Sequence, residues 1–112
     1  MTALEKAKYA FDLLDEKKGE KIKILKIGDL TTIGDYFVIA HGNSDSQVEA
    51  LADNVEEKFA EKEIQLRRIE KDSRSHWILM DYYDIIVHIF YKDTRDFYAL
   101  EKLWADAQEI ER

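Results

Sequence analysis

The sequence contains no cysteine and no proline, and only 4 glycines among its 112 residues. Without cysteine there is no disulfide, no thiolate zinc site, no iron–sulfur cluster and no cysteine nucleophile. Without proline there is no proline-rich linker, and neither a repeat nor a low-complexity stretch divides the chain. Long apolar runs are missing as well. Stretches such as Ile85-Ile86-Val87 extend for a few residues, whereas a membrane span needs ~20. The start, Met1-Thr2-Ala3-Leu4-Glu5-Lys6, lacks the basic opening and apolar stretch of a signal peptide, so the chain reads as cytoplasmic. Basic residues are the minority: 17 Lys and Arg stand against 24 Asp and Glu, a formal charge of −7. That field repels phosphate and argues against broad electrostatic binding of nucleic acid. It would attract a basic protein and speed the encounter, without choosing among basic partners.

What is present is an ordinary globular composition, 46% hydrophobic and 37% charged, in one domain spanning 1–112 with enough chain for one core. Thr2-Ala3-Leu4-Glu5 has the spacing of a capping box, and Ala3, Leu4, Ala7, Ala10, Phe11 and Leu14 fall on one helical stripe. Lys17 and Lys18 suit the negative helix end, and Gly19 suits the left-handed closing residue. Lys21 to Ile27 reads as a strand near an edge. Tyr36 to Ala40, β-branched and aromatic, reads as a strand buried on both faces. Ser44-Asp45-Ser46-Gln47 has the spacing of a second capping box, opening a helix that buries Val48, Leu51, Ala52, Val55 and Phe59. Ile64 to Ile69 is a third strand. Trp77 to Met80 and Ile85 to Tyr91 form a hairpin through Asp81-Tyr82-Tyr83-Asp84. Asp93 or Thr94 caps a last helix carrying Phe97, Leu100, Leu103 and Trp104, and the tail beyond Ala105 reads as loose. The predicted order is α-β-β-α-β-β-β-α, an α+β fold with a single mixed sheet flanked by helices. Ile85, Val87 and Ile89 would face the helices, and Ile86, His88 and Phe90 would face away.

Residues with catalytic potential are scattered. His41, His76 and His88 lack metal-ligand spacing, and the simpler reading of each is a hydrogen-bonded or surface histidine. Ser44 and Ser46 lie near His41, but Ser44 already serves as a helix cap. Gly42-Asn43-Ser44 precedes a helix and could hold an anion. Asp45 and Glu49 oppose that, and no P-loop or dinucleotide fingerprint is present. Asp81 and Asp84 flank a turn, where aspartate hydrogen-bonds its own backbone; this reading outweighs a general acid–base pair. Trp104 fits a buried stripe. Trp77, beside His76, suits a partly exposed position and an interface hot spot.

Asp35-Tyr36-Phe37-Val38-Ile39-Ala40, Gly42, Ser44, Gln47-Val48 and Ala52-Asp53-Asn54-Val55-Glu56 resemble the first signature block of the Iojap/RsfS family of ribosomal silencing factors. Trp77-Ile78-Leu79-Met80-Asp81-Tyr82, Asp84, Val87-His88-Ile89-Phe90, Arg95, Phe97-Tyr98 and Leu100-Glu101-Lys102-Leu103-Trp104 resemble the second. The resemblance implies a nucleotidyltransferase-like fold: a mixed sheet flanked by helices. It implies no catalysis, since the Gly42-Asn43-Ser44 turn is followed by no Asp-x-Asp pair on a strand. It needs no cofactor and no metal. It implies docking on the large ribosomal subunit through its protein numbered fourteen, at the face that meets the small subunit. The bound factor would obstruct subunit joining and repress translation. Ribosomal proteins are basic as a class, which suits an acidic chain.

The contact surface this resemblance implies centres on Trp77, Leu79, Asp81, Tyr82, Asp84, His88 and Phe90, with Arg95, Tyr98 and Glu101 at its margin. Aromatic groups would supply buried area, and Asp81 and Asp84 would meet basic side chains of the partner. The family commonly has glycine where this chain has Tyr83. A non-glycine residue resists positive φ, so a different turn type is expected. Arg67 and Arg68 read as a solvated strand face. An apolar sheet face awaiting a partner also favours a homodimer when the protein is free. The rival readings are a nucleotide-binding or residual nucleotidyltransferase-like protein, and an adaptor for another basic protein.

Overall fold

The computed structural model describes residues 1–72, 76–94, 102 and 104–112. Helix α1 spans Ala3–Glu16. The Thr2 hydroxyl accepts the Glu5 N–H at 3.1 Å and the Glu5 carboxylate accepts the Thr2 N–H at 2.8 Å, so the capping box closes as its spacing predicts. The other end differs from expectation. Lys18, not Gly19, takes the left-handed conformation, at φ 64. Gly19 is needed for space instead: a Cβ there would lie 3.0 Å from the Leu14 carbonyl oxygen, which accepts the Gly19 N–H.

Helix α2 spans Asp45–Glu61, capped by Ser44, whose hydroxyl accepts the Gln47 N–H at 3.1 Å. Gln47 does not complete a capping box. Its side-chain oxygen accepts the Asn43 N–H at 2.7 Å, and its amide donates to the carbonyls of Lys17 and Lys18. The start of α2 is thereby fastened to the end of α1. Asn54, buried in mid-helix, adds a second tie by donating to the Leu13 carbonyl at 2.8 Å.

The strands are β1 Glu20–Lys26, β2 Tyr36–Gly42, β3 Arg68–Lys71, β4 Trp77–Asp81, β5 Ile85–Tyr91 and β6 Gln108–Ile110. They form one mixed sheet in the order β3-β4-β5-β2-β1-β6. β2 and β5 run parallel and the remaining pairs antiparallel. A parallel neighbour requires a crossover, and α2 lies on it. The fold is the expected α+β class, with two adjustments in strand position. The third strand begins at Arg68, while Ile64 and Leu66 pack before it against the helix-side core. The tail is not loose. Gln108–Ile110 pairs with Lys26 to Ile24, so β1 is one place in from the edge. Arg112 then reaches Asp12 on α1 with contacts of 2.6 and 2.8 Å. The expected last helix rests on Phe97, Leu100 and Leu103, which lie outside the described residues.

Strand alternation divides the sheet into two apolar faces. Ile24, Val38, Ile78, Met80, Ile85, Val87 and Ile89 face α1 and α2, joining Leu14, Leu51, Val55 and Phe59. Leu25, Ile27, Phe37, Ile39, Ile86 and Phe90 form a separate cluster on the opposite face. This is the division predicted for β5.

Candidate docking face

The register of the β4–β5 hairpin builds this second face. Trp77 pairs with Phe90, Leu79 with His88, and Asp81 with Ile86. On the other side of β5, Phe37 pairs with Ile86 and Ile39 with His88. Five of the residues expected at a partner surface, Trp77, Leu79, Asp81, His88 and Phe90, therefore project together. The rings of Trp77, His88 and Phe90 lie nearly parallel, with centroids 6.0 to 6.2 Å apart. Phe37 meets His88 edge-on at 4.6 Å. Trp104 covers part of the face from the chain's far end, edge-on to Phe37 at 5.5 Å.

His88 is 4% exposed. Its Nδ1 accepts the indole N–H of Trp77 at 3.2 Å, which leaves the ring proton on Nε2. That Nε2 has no hydrogen-bond partner among the described residues. Burial pushes the imidazole down from its ordinary value to about 4, because a charged ring would lose its hydration there. His88 is thus a neutral, rigid support buried beneath the surface that Trp77 and Leu79 present.

The two aspartates have internal partners. Asp81 is 3% exposed; its Oδ1 accepts the Tyr83 N–H at 2.8 Å, and Oδ2 lies 3.7 Å from both Arg67 and Arg68. Asp84 pairs with Lys6 of α1 at 3.0 Å, and its carbonyl accepts the N–H groups of Asp35 and Tyr36. Both carboxylates brace the hairpin. Tyr82 projects to the helix side, 2% exposed, with its ring 4.5 Å from that of Phe59. Burial, with the charge of Glu56 adding to it, holds its phenol well above the ordinary range. Arg95, Tyr98 and Glu101 lie outside the described residues.

Beside the hairpin the face opens into a cleft of about 400 Å³. Phe37, Leu79 and Ile86 supply apolar walls, and Ile33, Arg67 and Arg68 stand at its rim. Ile33 is 52% exposed. It sits in a loop with no periodic pattern, so nothing in the sequence singles it out. The two arginines were legible only as a solvated strand face, and Asp81 and the adjoining loop draw them to the cleft.

The histidines elsewhere serve local structure. His41 lies 3.2 Å from Glu20, which also accepts the Asn43 amide. His76 stacks on Tyr91 and approaches Asp45 at 3.4 Å. Among the described residues no group of three or more His, Asp and Glu is placed to hold a metal ion. No described helix is long and apolar enough to cross a membrane.

The described residues form a mixed sheet with helices on one face and an aromatic cluster beside a cleft on the other. The chain belongs to the ribosomal silencing factor family, since the family described as "Ribosomal silencing factor during starvation" matches residues 1–112. It is 39% identical over 111 residues to ribosomal silencing factor RsfS of Halalkalibacterium halodurans, covering 99% of this chain and 95% of that one. It is 42% identical over 100 residues to the RsfS of Bacillus subtilis, covering 89% and 85% respectively. The fold is similar to a crystal structure of a protein from Chromobacterium violaceum, with a TM-score of 0.90 and 33% identity over 94% of this chain and 88% of that one.

Proposed function

We propose that this chain silences translation by occupying the large ribosomal subunit. It docks through the large-subunit protein numbered fourteen, at the face that meets the small subunit, and keeps the small subunit away. The mechanism is steric. It requires affinity and bulk, with no catalytic step, cofactor or metal, and it operates in the cytoplasm where subunits meet. The observation that carries this reading is the β4–β5 face, where Trp77 and Leu79 remain half-buried at the surface beside an apolar cleft, in a chain matched along its whole length by a silencing family. Partly exposed aromatic and aliphatic groups around a pocket are the usual anchors of protein interfaces. The charge of −7 steers the chain toward a basic protein and away from bare RNA. Arg95, Tyr98 and Glu101 form the margin of the proposed contact.

The test is a joining assay. Purified large subunits are incubated with the protein before small subunits are added, and joined ribosomes are measured on a sucrose gradient. The joined fraction should fall as the protein approaches and passes the subunit concentration. An unchanged fraction at saturating protein would contradict the reading. The same apolar surface supports self-pairing of the free protein. Equilibrium sedimentation at high micromolar concentration should give twice the chain mass, and a strictly monomeric result would exclude a homodimer.

A further inference from the structure

Tyr83, in the β4–β5 turn, has a backbone φ of 74. An L side chain is crowded there, and glycine is the residue that suits it. Three other non-glycine residues have positive φ, and each sits at an element boundary or irregularity. Lys18 and Glu63 follow the ends of α1 and α2, and Lys21 lies in the β1 bulge. All three are charged. Tyr83 is the aromatic among them, and its side chain is not needed inside: it is 50% exposed.

The ring is held in place nonetheless. The Tyr83 backbone N–H donates to the Asp81 carboxylate, the neighbouring Asp84 is tied to Lys6 and to the backbone of Asp35 and Tyr36, and the Arg67 guanidinium lies over the ring, 5.8 Å from its centroid. The loop carrying Ile33 abuts the same turn, since a Cβ on Gly34 would stand 3.6 Å from the Tyr83 carbonyl oxygen. Two large exposed apolar side chains thus flank the hairpin end of the face, and Ile33 and Arg67 both border the cleft. An exposed, pre-positioned aromatic on a left-handed backbone suits a partner contact.

We propose that Tyr83 is a partner-contact residue: with Ile33 it forms an apolar rim on which a protein of the large subunit packs while inserting an apolar side chain into the cleft. This rests on the docking reading above. The occupant is a protein rather than RNA because the rim has no surplus positive charge for phosphate. Arg67 and Arg68 are balanced by Asp81 at 3.7 Å and by Glu70 at 3.5 Å from Arg68, on a chain of charge −7.

The experiment compares wild type with Tyr83→Gly, Tyr83→Asn and Tyr83→Phe by thermal unfolding and by co-sedimentation with purified large subunits. Asparagine tolerates the left-handed region, and phenylalanine keeps the ring. The glycine and asparagine variants should melt at the same temperature as wild type, or up to ~5 °C higher. They should bind subunits at least about tenfold more weakly, whereas the phenylalanine variant should bind as wild type does. Wild-type affinity in the glycine and asparagine variants would overturn the proposal. So would a fall in their melting temperature, which would make the ring structural. A parallel loss of affinity for naked large-subunit RNA would make RNA the occupant and also overturn it. Failure of the wild type itself to bind subunits contradicts the docking reading and, with it, this inference.

Discussion

Lowering the pH from 6.5 to about 4 should remove about 3 kcal/mol of folding stability through His88 alone. The folded imidazole, buried and neutral, resists protonation until about pH 4, whereas the unfolded one takes up its proton near 6.5. Across that window the unfolded state binds more protons, so stability falls as pH falls; above 6.5 neither state is charged and the contribution is complete. Urea unfolding at pH 7, 5 and 4 reads the effect. His88→Phe should flatten the profile, because the proton-binding group is gone. It also deprives the Trp77 indole of its acceptor, a loss independent of pH. The carboxyls of Glu5, Asp12 and Glu20, held below their ordinary range by bonds from Thr2, Arg112 and Asn43, add their own loss at lower pH in both proteins. The difference between variant and wild type therefore isolates His88. Parallel profiles would mean that His88 is not the buried neutral group described.

Much of this fold is legible in local pattern. Ile85 to Tyr91 alternates between two buried faces, and the structure starts and ends the strand at those residues. Thr2 and Ser44 mark both helix starts because capping is a short-range affair of three residues. Elements whose cause is distant are less visible. Gln108–Ile110 carries no apolar alternation and becomes a strand because the open edge of β1 accepts it across the fold. Gln47 leaves its own helix start to bond the end of α1, and nothing within four residues foretells that. Gly19 looks like the left-handed closer, yet Lys18 takes that conformation and the glycine relieves a close approach.

The candidate site follows the same division. Trp77, Leu79, Asp81, His88 and Phe90 share a face by period two alone, so the sequence exposes their grouping. The same arithmetic sends Tyr82 inward to Phe59. The cleft was hidden, because it needs the loop holding Ile33, the two arginines before β4 and the hairpin to meet, and only the sheet order brings them together. The internal engagement of Asp81 and Asp84 was hidden for the same reason: Lys6 is 78 residues from Asp84 in sequence.

Leu79 gives the most direct test of docking through this face. It is half-buried, lines the cleft, and lies between Glu70 of β3 and His88 of β5. A glutamate there can turn its carboxylate toward solvent and the nearby arginines in the free protein, so the fold should survive. Beneath a docked partner the same charge would be stripped of water, at a cost comparable to that of losing a central hot spot. Co-sedimentation of wild type and Leu79→Glu with purified large subunits, each first shown to be folded by circular dichroism, measures the consequence. The wild type should pellet with the subunits, and Leu79→Glu should bind at least about thirtyfold more weakly. Equal binding by a folded Leu79→Glu variant would contradict the account, because a partner that tolerates a charge at the centre of this face is not docked upon it.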